Sequence, residues 1–219
     1  MTDRMTQAKR AKPSKSNAKN SKTTPRTRLR ADVRSQMIVE AAFHAIAKEG
    51  FEGLRTRDIA NLVGINIATL HHHFPTKEDL IAAIASYLSK HFREEKTQPT
   101  QGETAVDALK RQAKDAVFYH RRRPEMLAVY REFVGRAPRD PIIQNLVQQL
   151  HTTWHEDVEQ MLRQGQAEGS LRSDLDPKAA AGIVISTVWG LIAHVFVSPE
   201  DFDDGFNQLT KWILAQPGA

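Results

Sequence analysis

Three consecutive histidines, His71, His72 and His73, stand between an apolar stretch and a Phe-Pro pair. Imidazoles bind metal ions and transfer protons, so the run raises both kinds of chemistry. Helical ligands of one ion must share a face, at spacings of three or four residues. Adjacent residues on an α-helix point about 100° apart, so these three side chains cannot converge on one ion. We therefore expect no metal site here.

Catalysis is disfavoured by the same stretch and by the rest of the chain. No nucleophile, base and orienting group stand together, and the 219 residues include no cysteine. Paired carboxylates and triad-like groupings are also missing from the sequence. We expect a protein that is not an enzyme and uses no cofactor, although turnover in the helical body remains an alternative.

The elements that position the histidines are short helices. Asn66 is predicted to cap a helix over 67–73, which Pro75 ends. Thr56 is predicted to cap the preceding helix, which ends at Gly64, a residue that permits a turn with positive φ. Together with a longer helix over 31–49, they form the pattern of a helix-turn-helix unit, whose third helix would enter the major groove.

An ordinary helical corner in a core is the alternative to a DNA-binding unit. It needs no polar exposed face on the third helix. Here Leu70 and Phe74 supply a buried side, with Ile65 before them, while Thr69 and the three histidines are polar. This pattern favours recognition of a partner over simple packing.

Apolar residues at helical spacing predict six further helices and no strand. The predicted ranges are about 76–95, 103–121, 124–136, 141–168, 177–197 and 200–215. Three of these helices begin with a capping residue followed by proline, at Asp140, Asp176 and Ser198. The predicted fold class is all-α with about nine helices, comprising an N-terminal three-helix unit and a larger C-terminal helical domain.

Charge is unevenly distributed along the chain, which has a net charge of +5. Residues 1–34 hold eleven Lys and Arg against two Asp, and the remainder is mildly acidic. Residues 1–28 contain almost no large apolar side chain, so we expect a disordered basic arm. Such arms are drawn to polyanions, above all nucleic acids, although a solubilising tail is the alternative.

Residues 179–197 form the most apolar stretch but include Ser186, Thr187, Trp189 and His194. We interpret it as a buried helix and not as a membrane span. The N-terminus lacks the apolar segment of a secretory signal. These features predict a cytoplasmic protein with no membrane partner.

The stretch from Arg34 to Leu88 resembles the N-terminal domain of the tetracycline-repressor (TetR) family of bacterial regulators, over some 55 residues. The remaining residues match that family only in outline. The matching residues are Ile38, Ala41, Ala42, Phe43, Gly50, Thr56, Asp58-Ile59-Ala60, Val63-Gly64-Ile65, Thr69-Leu70, His73-Phe74 and Lys77-Glu78-Asp79-Leu80.

The resemblance implies a homodimeric transcriptional regulator, usually a repressor, that binds double-stranded DNA at a palindromic operator and is released by a small-molecule effector. It implies a DNA-binding domain over 29–77 and a ligand-binding and dimerisation domain over 78–219. An architectural DNA-binding protein dominated by the basic arm is the alternative.

DNA contacts are carried over from the family position by position. His71 stands where the family usually has tyrosine. Base contacts are expected from Ile67, Ala68 and His71, with Asn66 as a weaker candidate. The resemblance implies phosphate or base contacts from Thr56, Arg57 and Thr69. It implies contacts with the DNA backbone from His72 and His73 and with phosphate from Lys77. Arg26, Arg28 and Arg30, just before the first helix, are expected to reach the minor groove.

The family holds its effector between the fourth and eighth helices. Candidate lining residues are Phe92, Phe118, Met126, Tyr130, Phe133, Trp154, Met161 and Trp189, with Arg131, His151 and His194 as polar partners. Gly182, Ser186 and Gly190 form a row of small residues that would let another helix approach closely. The expected dimer interface is Gly182, Ile185, Ser186, Trp189, Phe206, Leu209, Trp212 and Ile213, while a purely intramolecular core is the alternative.

Overall fold

A computed structural model describes residues 25–193 and 198–214. Over those ranges the chain forms nine α-helices and two short 3-10 helices, which confirms the predicted all-α class. The α-helices are α1 (Pro25–Glu49), α2 (Thr56–Val63), α3 (Ile67–His73), α4 (Lys77–Glu94), α5 (Ala105–Arg122), α6 (Pro124–Arg136), α7 (Pro141–Ala167), α8 (Pro177–Ala193) and α9 (Pro199–Ile213). The 3-10 helices are Gly50–Gly53 and Ala137–Arg139.

Helix starts follow the capping signals in the sequence. Asp140 accepts hydrogen bonds from the backbone N–H groups of Ile142 and Ile143, and Ser198 accepts one from Asp201. The prolines that follow these caps occupy the first helical turn, where an N–H would have no partner. Thr56 is an exception, because it is already helical and Arg55, at the cap position, makes no side-chain capping bond.

The first helix begins earlier than the charge pattern predicts. α1 starts at Pro25, so residues 25–28, expected in a disordered arm, are helical. Proline suits the first helical position, and arginine and leucine are good helix formers. The first turn of α1 can therefore form without an apolar face that packs on the core. The rest of the expected arm, residues 1–24, lies outside the described residues. Arg26, Arg28 and Arg30 therefore belong to the helix and not to a segment before it.

One hydrophobic core runs through both halves of the molecule. Near the N-terminus Ile38, Phe43 and Ile46 of α1 are fully buried against α2 and α4. α1 also packs against α6, and the long α7 packs along α8, which continues the core toward the C-terminus. None of the helices in the described ranges combines the length and apolarity needed to cross a bilayer.

Helix α4 belongs to both halves. It spans 18 residues, which corresponds to a length of about 27 Å. Thr76 caps its first turn in a reciprocal pair with Asp79, immediately after α3. Its buried residues include Leu80 near the start, and Phe92 near the end packs against α5 and α6 aromatic rings. Any tilt of this helix moves both of its ends.

Candidate nucleic-acid interface

The turn between α2 and α3 depends on Gly64. This residue adopts φ +72° and ψ 33°, the left-handed conformation that side chains with a Cβ rarely occupy. Its backbone N–H lies 3.1 Å from the carbonyl oxygen of Asn61, and the N–H of Ile65 lies 3.0 Å from that of Ala60. These bonds end α2 and redirect the chain into α3.

The start of α3 is held by its own side chains. The Asn66 side-chain oxygen accepts two hydrogen bonds from Thr69, one from the backbone N–H at 2.7 Å and one from the side-chain hydroxyl at 2.9 Å. Asn66 therefore caps the helix as predicted. The Thr69 hydroxyl proton, expected to be available for DNA, is used within the helix, and Thr69 is half-buried.

The faces of α3 divide cleanly around its axis. Ile67, Ala68, His71 and His72 are exposed and occupy one continuous arc, since successive residues turn by about 100°. The opposite arc carries Leu70, which is fully buried. The exposed arc offers two imidazoles and two apolar groups, which suits contact with base edges and thymine methyl groups.

His73 lies on the opposite side of α3 from the exposed arc. Its Nδ1 lies 2.8 Å from the hydroxyl oxygen of Ser35 on α1. Burial lowers the pKa of His73, and the nearby His72 and Arg34 lower it further. The ring of His73 is therefore turned toward α1, and its expected contact with the DNA backbone stays a prediction.

Exposed basic side chains lie on the elements next to α3 in the chain. Arg57 on α2 and Lys77 at the start of α4 are exposed, and Thr56 is half-buried. Arg55 is also exposed, just before α2, and sequence reasoning missed it. Its signal was present, because it precedes a helix N-terminus that favours phosphate. The side chains of Arg26, Arg28 and Arg30 lie outside what the structure describes.

A second site lies in the C-terminal helices, where a cavity of about 150 Å³ opens among α4–α8. Four of the residues predicted to bind a ligand line it, namely Phe92, Tyr130, Trp154 and Trp189. Met126 and Phe133 are instead fully buried elsewhere in the core, Phe118 is 44% exposed, and Met161 does not line the cavity. Helical spacing alone could not separate these positions, because both core and cavity take apolar side chains.

Aromatic rings form a connected wall in this cavity. Phe92 meets Tyr119 edge-on at 4.9 Å between ring centroids, and Tyr130 meets Trp189 edge-on at 4.6 Å. Tyr119, which sequence reasoning missed, donates its hydroxyl proton to the His91 carbonyl at 3.2 Å. Burial raises the pKa of both tyrosine hydroxyls well above the usual value, so both remain neutral donors at physiological pH.

Polar side chains, Arg93 and Lys96 among them, share the cavity wall with the aromatic rings. Trp154 Nε1 donates to the Gln112 side chain at 3.1 Å, and the Tyr130 hydroxyl is hydrogen-bonded to His151 Nε2. Asp115 is the buried charge, with 8% of its surface exposed. Of the other predicted polar partners, Arg131 borders a separate crevice beside α6, and His194 lies outside the described residues.

The predicted dimer residues fall into two groups. Phe206, Leu209 and Ile213, predicted at the dimer interface, are buried within the protomer. They are buried because the apolar side of α9 packs against α8 of the same chain. Ser186 is exposed, Gly182, Ile185 and Trp189 are partly exposed, and Trp212 is 39% exposed. Ile183 is 47% exposed and was absent from the predicted interface.

Metal chemistry finds no support in the described part of the chain. No three His, Asp or Glu side chains come together there as a possible metal site.

A three-helix unit with an exposed third helix, joined through α4 to a helical bundle that encloses a cavity, defines a helix-turn-helix DNA-binding protein.

Comparison with known proteins identifies the family. The family model described as "Bacterial regulatory proteins, tetR family" matches residues 38–84. The model described as "BetI-type transcriptional repressor, C-terminal" matches residues 105–215, half of the chain. The chain belongs to the TetR family and is a DNA-binding transcriptional regulator. Members of this family are regulators and not enzymes.

Individual relatives are distant. The chain is 24% identical to the transcriptional regulator UidR of Escherichia coli K12 over 158 residues, covering 72% of this chain and 79% of UidR. It is 24% identical to the repressor KstR2 of Mycobacterium tuberculosis H37Rv over 156 residues, covering 69% and 76%. A regulator from Saccharomonospora viridis, solved in complex with choline, shares the fold with a TM-score of 0.72. That structure is 22% identical, and the match covers 85% of this chain and all of the other.

Proposed function

We propose that the protein is a homodimeric repressor whose α3 helices bind the two halves of a palindromic operator and whose effector occupies the cavity among α4–α8. One observation carries this proposal. The 18 residues of α4 run from Lys77, beside the end of α3, to Phe92 and Arg93, which line the cavity. A ligand that displaces the end of α4 therefore acts on the element that orients the DNA-binding unit.

The DNA-binding residues follow from exposure. We assign base contacts to Ile67, Ala68, His71 and His72, because these side chains form the exposed arc of α3. We assign phosphate contacts to Arg55, Arg57 and Lys77, with Arg26, Arg28, Arg30 and Arg34 along α1 as further cations. The DNA-binding domain then comprises α1–α3, and the effector and dimer domain comprises α4–α9.

The dimer face is proposed on α8. Ala179, Ile183, Ser186 and Gly190 are exposed and recur at spacings of four, three and four residues, so they form one stripe of apolar and small side chains. Trp212 of α9 adds an exposed aromatic group. Small residues let helices approach closely, and the partner's α8 and α9 would complete a four-helix bundle. A twofold axis would present two α3 helices to successive major grooves.

The lining suits a small organic cation as effector. Aromatic faces attract cations, and a buried carboxylate supplies a counter-charge. Asp115 provides that carboxylate. Two cations also line the cavity: the Lys96 ammonium group is paired with Asp157 at 2.7 Å, and Arg93 is exposed and donates to the Ser89 hydroxyl at 2.8 Å. The cation choline, bound by the S. viridis regulator, is a suitable first probe. Its uncharged carbon isostere, 3,3-dimethylbutan-1-ol, is the matched control.

Selection from random DNA duplexes tests the DNA-binding part of the proposal. The full chain should enrich a palindromic sequence, and its affinity should fall steeply with salt. Equal affinity for all duplexes would contradict specific repression.

Removal of residues 1–24 separates repression from an architectural role of the basic segment. The truncated chain should keep its preference for the selected sequence while its salt dependence becomes shallower, because those residues supply lysine and arginine while the proposed base contacts lie on α3. Loss of all DNA binding would instead favour the architectural protein.

A further inference from the structure

The carboxylate of Asp115 faces two neighbours at once. It lines the cavity from α5, and it accepts hydrogen bonds from Thr97, from the hydroxyl at 2.5 Å and from the backbone N–H at 3.3 Å. Thr97 lies three residues beyond Glu94, where α4 ends. Within the described residues, no Lys, Arg or His comes within 4.0 Å of this carboxylate. The hydrogen bonds to the Asp115 carboxylate within the described residues therefore come from Thr97.

Further side chains of α5 hold the same end of α4. Arg111 donates to the Thr97 carbonyl at 2.9 Å while its other nitrogens pair with Glu103. Tyr119 donates to the His91 carbonyl. Of these groups, Asp115 and Tyr119 also line the cavity. The attachment of α4 to α5 is thus partly built from the surface that an effector would touch.

We propose that Asp115 couples the cavity to α4, because a cationic effector engages its carboxylate in competition with Thr97. This inference rests on the proposed function. A hydrogen bond from a neutral hydroxyl is weaker than an ion pair formed in a desolvated aromatic site. Thr97 is exposed, so its hydroxyl and N–H can bond to water once they are released. The end of α4 then loses one of its polar contacts with α5, while those of Arg111 and Tyr119 remain, so tilting the helix costs less free energy.

The coupling is reciprocal. If the effector weakens operator binding by breaking the Asp115–Thr97 contact, a protein without that contact already resembles the effector-bound form. It should bind the operator more weakly and the cation more tightly. This pair of opposite changes separates coupling from a simple loss of ligand contact, which would leave operator affinity unchanged.

Thr97→Val tests the inference, because it removes the hydroxyl while keeping the size of the side chain. Thr100→Val is the matched control, because Thr100 lies in the same loop and its hydroxyl makes no hydrogen bond to any residue that the structure describes. Fluorescence anisotropy with the selected operator measures affinity without effector. We expect Thr97→Val to weaken operator binding about tenfold, within the usual range of allosteric coupling, and Thr100→Val to leave it unchanged. Operator affinities within twofold of each other would overturn the coupling.

Hydrogen exchange tests the coupling between the Asp115–Thr97 contact and α4 without the need for an operator. If the wild-type chain selects no DNA sequence, the proposed repressor function fails, and exchange in the free protein then judges the coupling by itself. Faster exchange in Thr97→Val that extends to the amides of residues 80–85 supports the coupling, because these lie at the far end of α4. Faster exchange confined to the last turn of α4, or no change, overturns it.

Discussion

The Ser35 hydroxyl oxygen and His73 Nδ1 lie 2.8 Å apart and join α1 to the last turn of α3. This contact crosses 38 positions in the sequence and fixes the end of the DNA-reading helix against its supporting helix. The neighbouring His72 is exposed. Two adjacent histidines therefore have different surroundings, since one contacts α1 and the other faces solvent.

His73→Ala and His72→Ala should differ in their effects. His73→Ala should lower the free energy of unfolding by roughly 1 kcal/mol, the usual net value of one hydrogen bond, and should weaken operator binding through misplacement of α3. His72→Ala should leave stability unchanged and weaken DNA binding only. Urea unfolding and anisotropy measure the two quantities. Equal stability of the two variants would contradict the assignment.

Stability should depend on pH through His73. Burial, His72 and Arg34 lower its pKa in the folded protein, so the unfolded chain binds the proton more readily. The neutral ring contributes stability above about pH 6.5, the ordinary histidine pKa, and that contribution is lost as pH falls through the lower folded pKa. Burial lowers the pKa of His151 in the same direction. The urea concentration at the unfolding midpoint should therefore be lower at about pH 5.5 than at about pH 7.5. This difference should be smaller in His73→Gln than in His120→Gln, the control at an exposed histidine.

The position of His73 could have been found from the sequence. A turn of about 100° per residue places it on the side of Leu70, away from His71. The predicted contact of His73 with the DNA backbone was instead carried over from the family by position, without regard to the helix face. By contrast, the cap at Asn66 and the turn at Gly64 depend on local backbone chemistry, and the structure confirms both. Local signals of this kind need no knowledge of the tertiary fold.

Burial between distant elements was harder to predict. An apolar stripe on α9 is the same pattern whether it meets α8 of its own chain or of a partner, and Phe206 and Ile213, predicted at the dimer interface, are buried within the protomer. The same ambiguity affected Met126 and Phe133, which are core residues and not cavity residues. Asp115 and Tyr119 were missed because nothing in α5 marks which of its residues faces a void.

Gly165 should be intolerant of a side chain. It lies in α7, and a Cβ there would come within 2.4 Å of a Leu171 side-chain carbon. Gly165→Ala should cost about 1–3 kcal/mol through overpacking, a fall of a few degrees or more in Tm. Gly135→Ala in α6 is the matched control, because no atom lies within 4 Å of the added Cβ. That variant should be neutral or stabilised by up to about 1 kcal/mol through helix propensity, and a Tm loss equal to that of Gly165→Ala would contradict the packing argument.

The proposed dimer face is tested by a charge placed on α8. Ile183 and Ile142 are both 47% exposed, but Ile142 lies in the first turn of α7 and is not part of the α8 stripe. Ile183→Glu should weaken dimerisation roughly a hundredfold, because it buries an unpaired carboxylate at the interface, while Ile142→Glu should remain dimeric. Sedimentation velocity measures the association directly, and circular dichroism checks that both variants fold. The monomeric variant should also lose cooperative binding to the full palindrome while keeping weak half-site binding, since each α3 would then act alone. A dimer that persists in Ile183→Glu would place the interface elsewhere.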